Sequence, residues 1–153
     1  MLDILLLIAV TGLVLVSACK KDDTAEKQAE LDDQIIRNYL DANNIDAVRH
    51  ESGLYYLITD IGAGASASLS STIDFYYKGY FTDGSIFDQS TEGPVRYPLQ
   101  NLISGWQIGI PIIKEGGSIT LFVPSALGYG SNGSGGVPPN TVTIFDIDLI
   151  ATN

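Results

Sequence analysis

The chain has one cysteine, one histidine, and 8 lysines and arginines set against 18 aspartates and glutamates. Each shortage closes a class of function. A lone Cys19 can form no intramolecular disulfide, and with a single histidine the Cys–His spacing of a zinc site is unavailable. That histidine, His50, sits in a polar linker with nothing to place it beside a serine nucleophile, so a solvent-exposed linker residue is expected there. The formal net charge of −10 argues against a nucleic-acid partner, because neutralising phosphates needs a surplus of Lys and Arg. The acidity reads instead as solubility. The glycines between Gly128 and Gly136 do not form a phosphate-binding loop, since no Gly-Lys-Ser/Thr follows them, and they read as a long mobile loop. Neither a cofactor nor a metal is expected.

Long apolar runs are also scarce, with one exception at the N-terminus. Residues Ile4 to Val16 are almost wholly apolar and lead into Leu15-Val16-Ser17-Ala18-Cys19. An apolar segment ending in small residues reads as a secretory signal, and the run is short for a bilayer span of about 20 residues. Small residues directly before the sole cysteine resemble a bacterial lipobox. That resemblance implies cleavage before Cys19, a lipid on its thiol and attachment to a membrane of the bacterial cell envelope. Met1-Leu2-Asp3 departs from the positively charged start of such signals, which leaves room for a start upstream.

The expected organisation is a signal peptide at residues 1–18, a polar tether at 19–24, an amphipathic helix and linker at 25–50, and a domain at 51–153. Leu31, Ile35, Ile36, Tyr39 and Leu40 recur at helical spacing, so a helix is expected from about Ala25 to Asn43, ended by Asn43-Asn44. It can dock on its own domain or on a second copy, and its shortness favours its own domain. From Gly53 onward helix signals nearly vanish. Strands are expected at Leu54–Ile58, around Ile73, Phe75 and Tyr77, at Ser118–Val123, and at Val142–Ile150, where Phe145, Ile147 and Leu149 alternate with Asp146 and Asp148. Asp83-Gly84 reads as a two-residue hairpin turn. Gly105–Ile110 is the compact candidate for a short helix. Several strands around one helix make an α+β domain with a mainly antiparallel sheet.

Large aromatics normally mean core, but Tyr77, Phe87, Trp106, Tyr129 and Phe145 lie in different segments, each near glycine, proline or aspartate. The stretch Tyr77-Lys-Gly-Tyr-Phe-Thr-Asp-Gly-Ser-Ile-Phe-Asp-Gln-Ser90 resembles the central hairpin of the FKBP-type peptidyl-prolyl cis–trans isomerases. The likeness continues in order through Tyr97-Pro-Leu99, Leu102-Ile-Ser-Gly-Trp106, Pro124-Ser-Ala-Leu-Gly-Tyr-Gly130, Val137-Pro-Pro-Asn-Thr141 and Ile144-Phe-Asp-Ile-Asp-Leu149, and it covers roughly Gly53 to Ala151.

The resemblance implies a twisted antiparallel sheet curled around one short helix, with a pocket between the two. In that pocket Trp106 is the floor and Tyr77, Phe87, Val137 and Phe145 are walls, with Tyr97, Leu102 and Ile103 beside them. Asp88 lies at the rim near the hydroxyls of Tyr77 and Tyr129. Tyr129 and the backbone N–H of Ile103 donate to a bound peptide. The implied activity is isomerisation of X-Pro bonds in polypeptides, assisting the folding of exported proteins, with macrolides as inhibitors. A chaperone or peptide-docking module using the same pocket is the competing reading. The chain departs from the family pattern at Val137, where Ile is more usual, at Lys78 and Tyr80, and in the glycine-rich Gly130–Gly136, which implies a shallower pocket or slower turnover. One geometric consequence follows. Phe87 and Asp88 are neighbours, and on a regular strand they point to opposite faces. If both serve one pocket, the strand must bulge or end at this step.

Overall fold

The computed structural model describes residues 20–153, the side chains of residues 20–22 excepted. Residues 1–18, read from the sequence as a signal peptide, and Cys19, read as the lipid attachment point, lie outside the described residues. Helix α1 (Lys20–Ala42) is followed by strands β1 (Val48–Arg49), β2 (Tyr55–Asp60), β3 (Thr72–Tyr80), β4 (Ile86–Gln89) and β5 (Val95–Pro98). Next come a short helix α2 (Ser104–Gly109) and strands β6 (Ser118–Val123) and β7 (Thr143–Thr152).

All the strands pair antiparallel in a seven-stranded sheet ordered β1-β2-β6-β7-β3-β4. β5 also pairs with β3, through Thr72 to Phe75, while β4 takes Lys78 to Tyr80. The two short strands therefore share the edge of β3 that β7 leaves open. A gap remains between them, and the functional site opens there.

The sheet buries two faces. Ile73 and Phe75 of β3, Ile119, Leu121 and Val123 of β6, and Phe145, Ile147 and Leu149 of β7 form the inner face, packed on Trp106 of α2 and on Ile110 and Ile113 just beyond it. Alternation with period 2 places these residues together. The outer face is polar along Asp146 and Asp148, as the alternation of β7 predicts, but one end of it is apolar. There Phe122, Ile144 and Tyr55 meet Ile36 and Leu40 of α1. This explains why β6 reads as a continuous apolar run: its C-terminal half is covered on both sides.

α1 docks on its own domain. It begins at Lys20 rather than Ala25, so most of the stretch read as a tether is helical. Its buried positions are Asp32, Ile36 and Leu40, one turn apart, and Leu31 is exposed rather than buried. The chain leaves the helix where the N–H of Ile45 donates to the carbonyl of Leu40, with Asn44 at φ +54°. Asparagine tolerates that left-handed step. Among the described residues, no helix is long and apolar enough to cross a membrane.

Three local expectations change. The β3–β4 connection is not a two-residue turn: pairing stops at Tyr80 opposite Ile86, and Phe81 to Ser85 close the hairpin. Within it the N–H of Gly84 donates to the carbonyl of Phe81, and Gly84 alone takes a positive φ, of +85°. His50 is partly buried rather than free in solvent; its Nδ1 accepts from the Ser52 N–H at 3.1 Å. The glycine-rich loop is folded into turns, with Ser134 and Val137 bonded to each other through both backbone N–H groups.

Candidate active site

α2 can approach the sheet closely because it carries Gly105 and Gly109 on its inner side. A Cβ at Gly105 would meet Val123 at 2.7 Å, and one at Gly109 would meet Leu121 at 2.5 Å. With the helix backbone drawn onto β6, Trp106 is driven into the mouth of the sheet and is only 3% exposed. Three rings stand edge-on to its indole: Phe75 at 4.9 Å, Phe145 at 5.4 Å and Tyr77 at 5.8 Å between centroids. Such tilted packing is the favoured arrangement of aromatic quadrupoles. The indole Nε1–H is buried and has no hydrogen-bond partner among the described residues.

Above this floor lies a cavity of about 230 Å³. Of the residues named from the sequence, Tyr77, Asp88, Tyr97, Leu102, Ile103, Trp106, Tyr129 and Phe145 line it. Phe87 and Val137 do not. Phe87 stands behind the wall, edge-on to Phe145 at 5.6 Å and to Tyr129 at 6.1 Å. Val137 is buried, at 5% exposure. Two lining residues, Phe75 and Val95, were missed, because on sequence alone they look like ordinary strand core.

The bulge expected at Phe87-Asp88 is present. Gly79 pairs with Asp88 and Tyr80 with Ile86, so Phe87 is the extra residue on β4. With that residue inserted, the Phe87 ring lies against Gly79 while Asp88 reaches the Tyr77 hydroxyl. It also accounts for Gly79, a glycine inside a strand. A Cβ there would lie 2.7 Å from the ring of Phe87 and 2.9 Å from that of Phe145, so only a bare backbone lets the ring lie across the strand. A strand-interior glycine marks such an approach, and that signal could have singled it out.

Asp88 is exposed at the rim, and its Oδ2 accepts the Tyr77 hydroxyl at 2.7 Å. Burial, reinforced by the hydrogen bond to Asp88, pushes the Tyr77 phenol far above its ordinary value of 10.0. Burial and the charge of Asp88 push Tyr129 up as well. Both phenols are therefore protonated at any physiological pH. The Tyr129 hydroxyl and the Ile103 backbone N–H bond to no protein group among the described residues, which leaves two donors at the cavity. Among the described residues no group of three or more His, Cys, Asp or Glu side chains is placed to hold a metal. The site offers an aromatic floor, fixed donors and a rim carboxylate. It can orient and desolvate an uncharged ring, and it can hold carbonyl oxygens.

Comparison with known proteins places this geometry. Residues 64–150 match the family described as FKBP-type peptidyl-prolyl cis-trans isomerase. The FKBP-type peptidyl-prolyl cis-trans isomerase FkpA of Aeromonas hydrophila is 38% identical over 66% of this chain. A probable FKBP-type peptidyl-prolyl cis-trans isomerase of Haemophilus influenzae is 33% identical over 92% of it. The chain spans 38% and 59% of those relatives' own lengths, less than two thirds of either. The crystal structure of FkpA from Escherichia coli superposes with a TM-score of 0.74 at 32% identity, over 86% of this chain and 64% of that one.

Proposed function

Because this chain belongs to the FKBP-type peptidyl-prolyl cis–trans isomerase family, we propose that it catalyses rotation about X-Pro peptide bonds in the cavity floored by Trp106. The observation that carries this is a preformed aromatic cavity with unpartnered donors at its wall and no nucleophile inside it. The reaction needs none. An X-Pro bond turns over a barrier of about 18–20 kcal/mol because its C–N bond has partial double-bond character. No covalent bond breaks, so the protein has only to hold the twisted amide better than either planar form. The proline ring sits on the indole among apolar walls, a setting that favours the twisted amide as it loses its resonance dipole. The Tyr129 hydroxyl and the Ile103 N–H hold flanking carbonyls, and fixed donors of this kind need no reorganisation during the turn. A hundredfold acceleration requires about 2.7 kcal/mol of such preference.

The substrates we propose are proline-containing segments of exported polypeptides, with macrolides as inhibitors occupying the same cavity. We further propose that Cys19 carries a lipid that anchors the domain in the bacterial cell envelope. The apolar run Ile4–Val16 and the small residues before Cys19 support that assignment. Exchange spectroscopy or a protease-coupled assay on an X-Pro peptide tests the activity. Acceleration at micromolar protein, abolished by a macrolide, is expected. Peptide binding without acceleration would instead make the domain a docking module. Mass spectrometry of the membrane-extracted protein tests the anchor: an unmodified Cys19 would refute it.

A further inference from the structure

We propose that Asp32, on α1 and outside the residues that match the family, is a positioning residue for Tyr129. The inference rests on the reading that the Tyr129 hydroxyl donates to the bound peptide. Asp32 is 0% exposed. Its Oδ2 accepts both the backbone N–H of Ser125 at 2.8 Å and the Ser125 hydroxyl at 2.6 Å, across 93 residues of sequence. Its Oδ1 accepts from Gln28 Nε2 at 2.8 Å. A buried carboxylate is tolerated only when its lone pairs are filled, and here both oxygens are engaged.

A structural anchor for α1 would need no more than this, but the contacts of Ser125 reach further. Its carbonyl accepts from the N–H of Gly128 at 3.0 Å and from that of Gly130 at 2.8 Å. Those two glycines flank Tyr129. The carbonyl of Gly130 in turn accepts from the Asn140 N–H at 2.9 Å. The backbone on both sides of Tyr129 thus hangs from one residue, and Asp32 holds that residue. Among the described residues the Tyr129 hydroxyl has no bond of its own to a protein group, so the backbone and the ring contact with Phe87 set its place in the cavity. Tyr77 is held differently, on β3 and by Asp88, with no hydrogen bond to α1 among the described residues. Loss of the Asp32 carboxylate should therefore disturb one donor of the site and leave the other in place. Donor geometry is exacting enough for such a shift to be read in turnover.

The test is a double-variant cycle in the full chain, following exchange of an X-Pro peptide by NMR. Tyr129→Phe is expected to slow turnover about three- to tenfold, the worth of one hydrogen bond. Asp32→Asn is expected to lose most of the same factor, and the double variant to be no slower than Tyr129→Phe alone. In Asp32→Asn the ring signals of Tyr129 should move while those of Tyr77 stay. Should Asp32→Asn fail to fold, Ser125→Ala, which removes only the hydroxyl donor, takes its place in the cycle. Losses that multiply in the double variant, or an unmoved Tyr129 ring, overturn the proposal. A fully active Tyr129→Phe would overturn the donor role itself, a distinct result read from the single variant.

Discussion

Asp88 is an exposed carboxylate with a specific hold: the Tyr77 hydroxyl lies 2.7 Å from its Oδ2. An exposed acid contributes little to folding, and removing it should leave stability nearly unchanged. Its loss should be felt in the site instead, because the Tyr77 phenol then lacks its acceptor and is free to rotate. Asp88→Ala is therefore expected to lower turnover about three- to tenfold with a melting temperature close to that of the parent. Peptide exchange and thermal unfolding, run on the same sample, check both halves. Unaltered kinetics and unaltered macrolide affinity would reduce Asp88 to a surface charge. Sequence reasoning reached this pair only through the family motif. Alternation alone sends Phe87 and Asp88 to opposite faces, and nothing in composition says otherwise. Phe75 and Val95 stayed hidden for the opposite reason: a cavity wall and a core use the same residue types.

At the scale of elements, the long strands were legible because their inner faces are fully buried and their outer faces carry aspartate. β7 shows Asp146 and Asp148 between Phe145, Ile147 and Leu149, and β6 was recovered from Ser118 to Val123 without adjustment. The hairpin was harder. Asp83-Gly84 is a strong turn signal, but the register of β4 decides how long the connection is, and that register includes a bulge. The bulge depends on Gly79. Gly79→Ala places a Cβ where the Phe87 ring lies, and strand backbone on both sides prevents easy relief. Overpacking of this kind costs about 1–3 kcal/mol. Gly79→Ala should therefore lower stability by that amount in denaturant titrations. It should also cut turnover more than Asp88→Ala does, since Phe87 supports both Phe145 and Tyr129. Wild-type turnover in Gly79→Ala would show that the ring has other room.

For the whole molecule, the helical spacing of α1 was readable but its buried face was not. Leu31 looks like part of the apolar stripe and is exposed, while the acid Asp32 is fully buried. A period of 3.6 cannot choose between adjacent positions when the deciding partner, Ser125, lies in a distant turn. The consequence is cooperative. Ile36 and Leu40 share one cluster with Phe122 and Ile144 of the central strands, so α1 should melt with the sheet. Ile36, 1% exposed, tests this: Ile36→Ala should destabilise the single unfolding transition by about 2–5 kcal/mol. A separate early transition with the main one unmoved would mean α1 is only a loose appendage.

The same interface contributes to how the fold responds to acid, alongside Asp74 and Asp83, whose carboxyls are also held below their ordinary value. Asp33 accepts the Tyr55 hydroxyl at 2.8 Å and Arg49 Nε at 3.0 Å, and it pairs with Arg37 at 3.0 Å. Partial burial works to raise its carboxyl, but the hydrogen bonds from Tyr55 and Arg49 and the two guanidinium charges outweigh it, holding the group below its ordinary 3.8. A folded-state value below the unfolded one means that the unfolded chain binds the proton more readily. The stabilisation is therefore complete above the unfolded value and fades as pH falls through the folded one. Tyr55, Tyr77, Tyr80 and Tyr129 are all pushed upward. By the same linkage their contribution is complete below about pH 10 and is lost as pH rises through their folded values. Urea titrations across pH should show stability falling on both sides of a broad plateau. In Asp33→Asn the plateau should be lower, and the acid limb should flatten because the unfolded state no longer has that proton to gain. Tyr55→Phe, which removes one of the bonds to Asp33, should flatten the acid limb in part. An acid limb identical in all three proteins would mean that the Asp33 cluster does not tie α1 to the sheet.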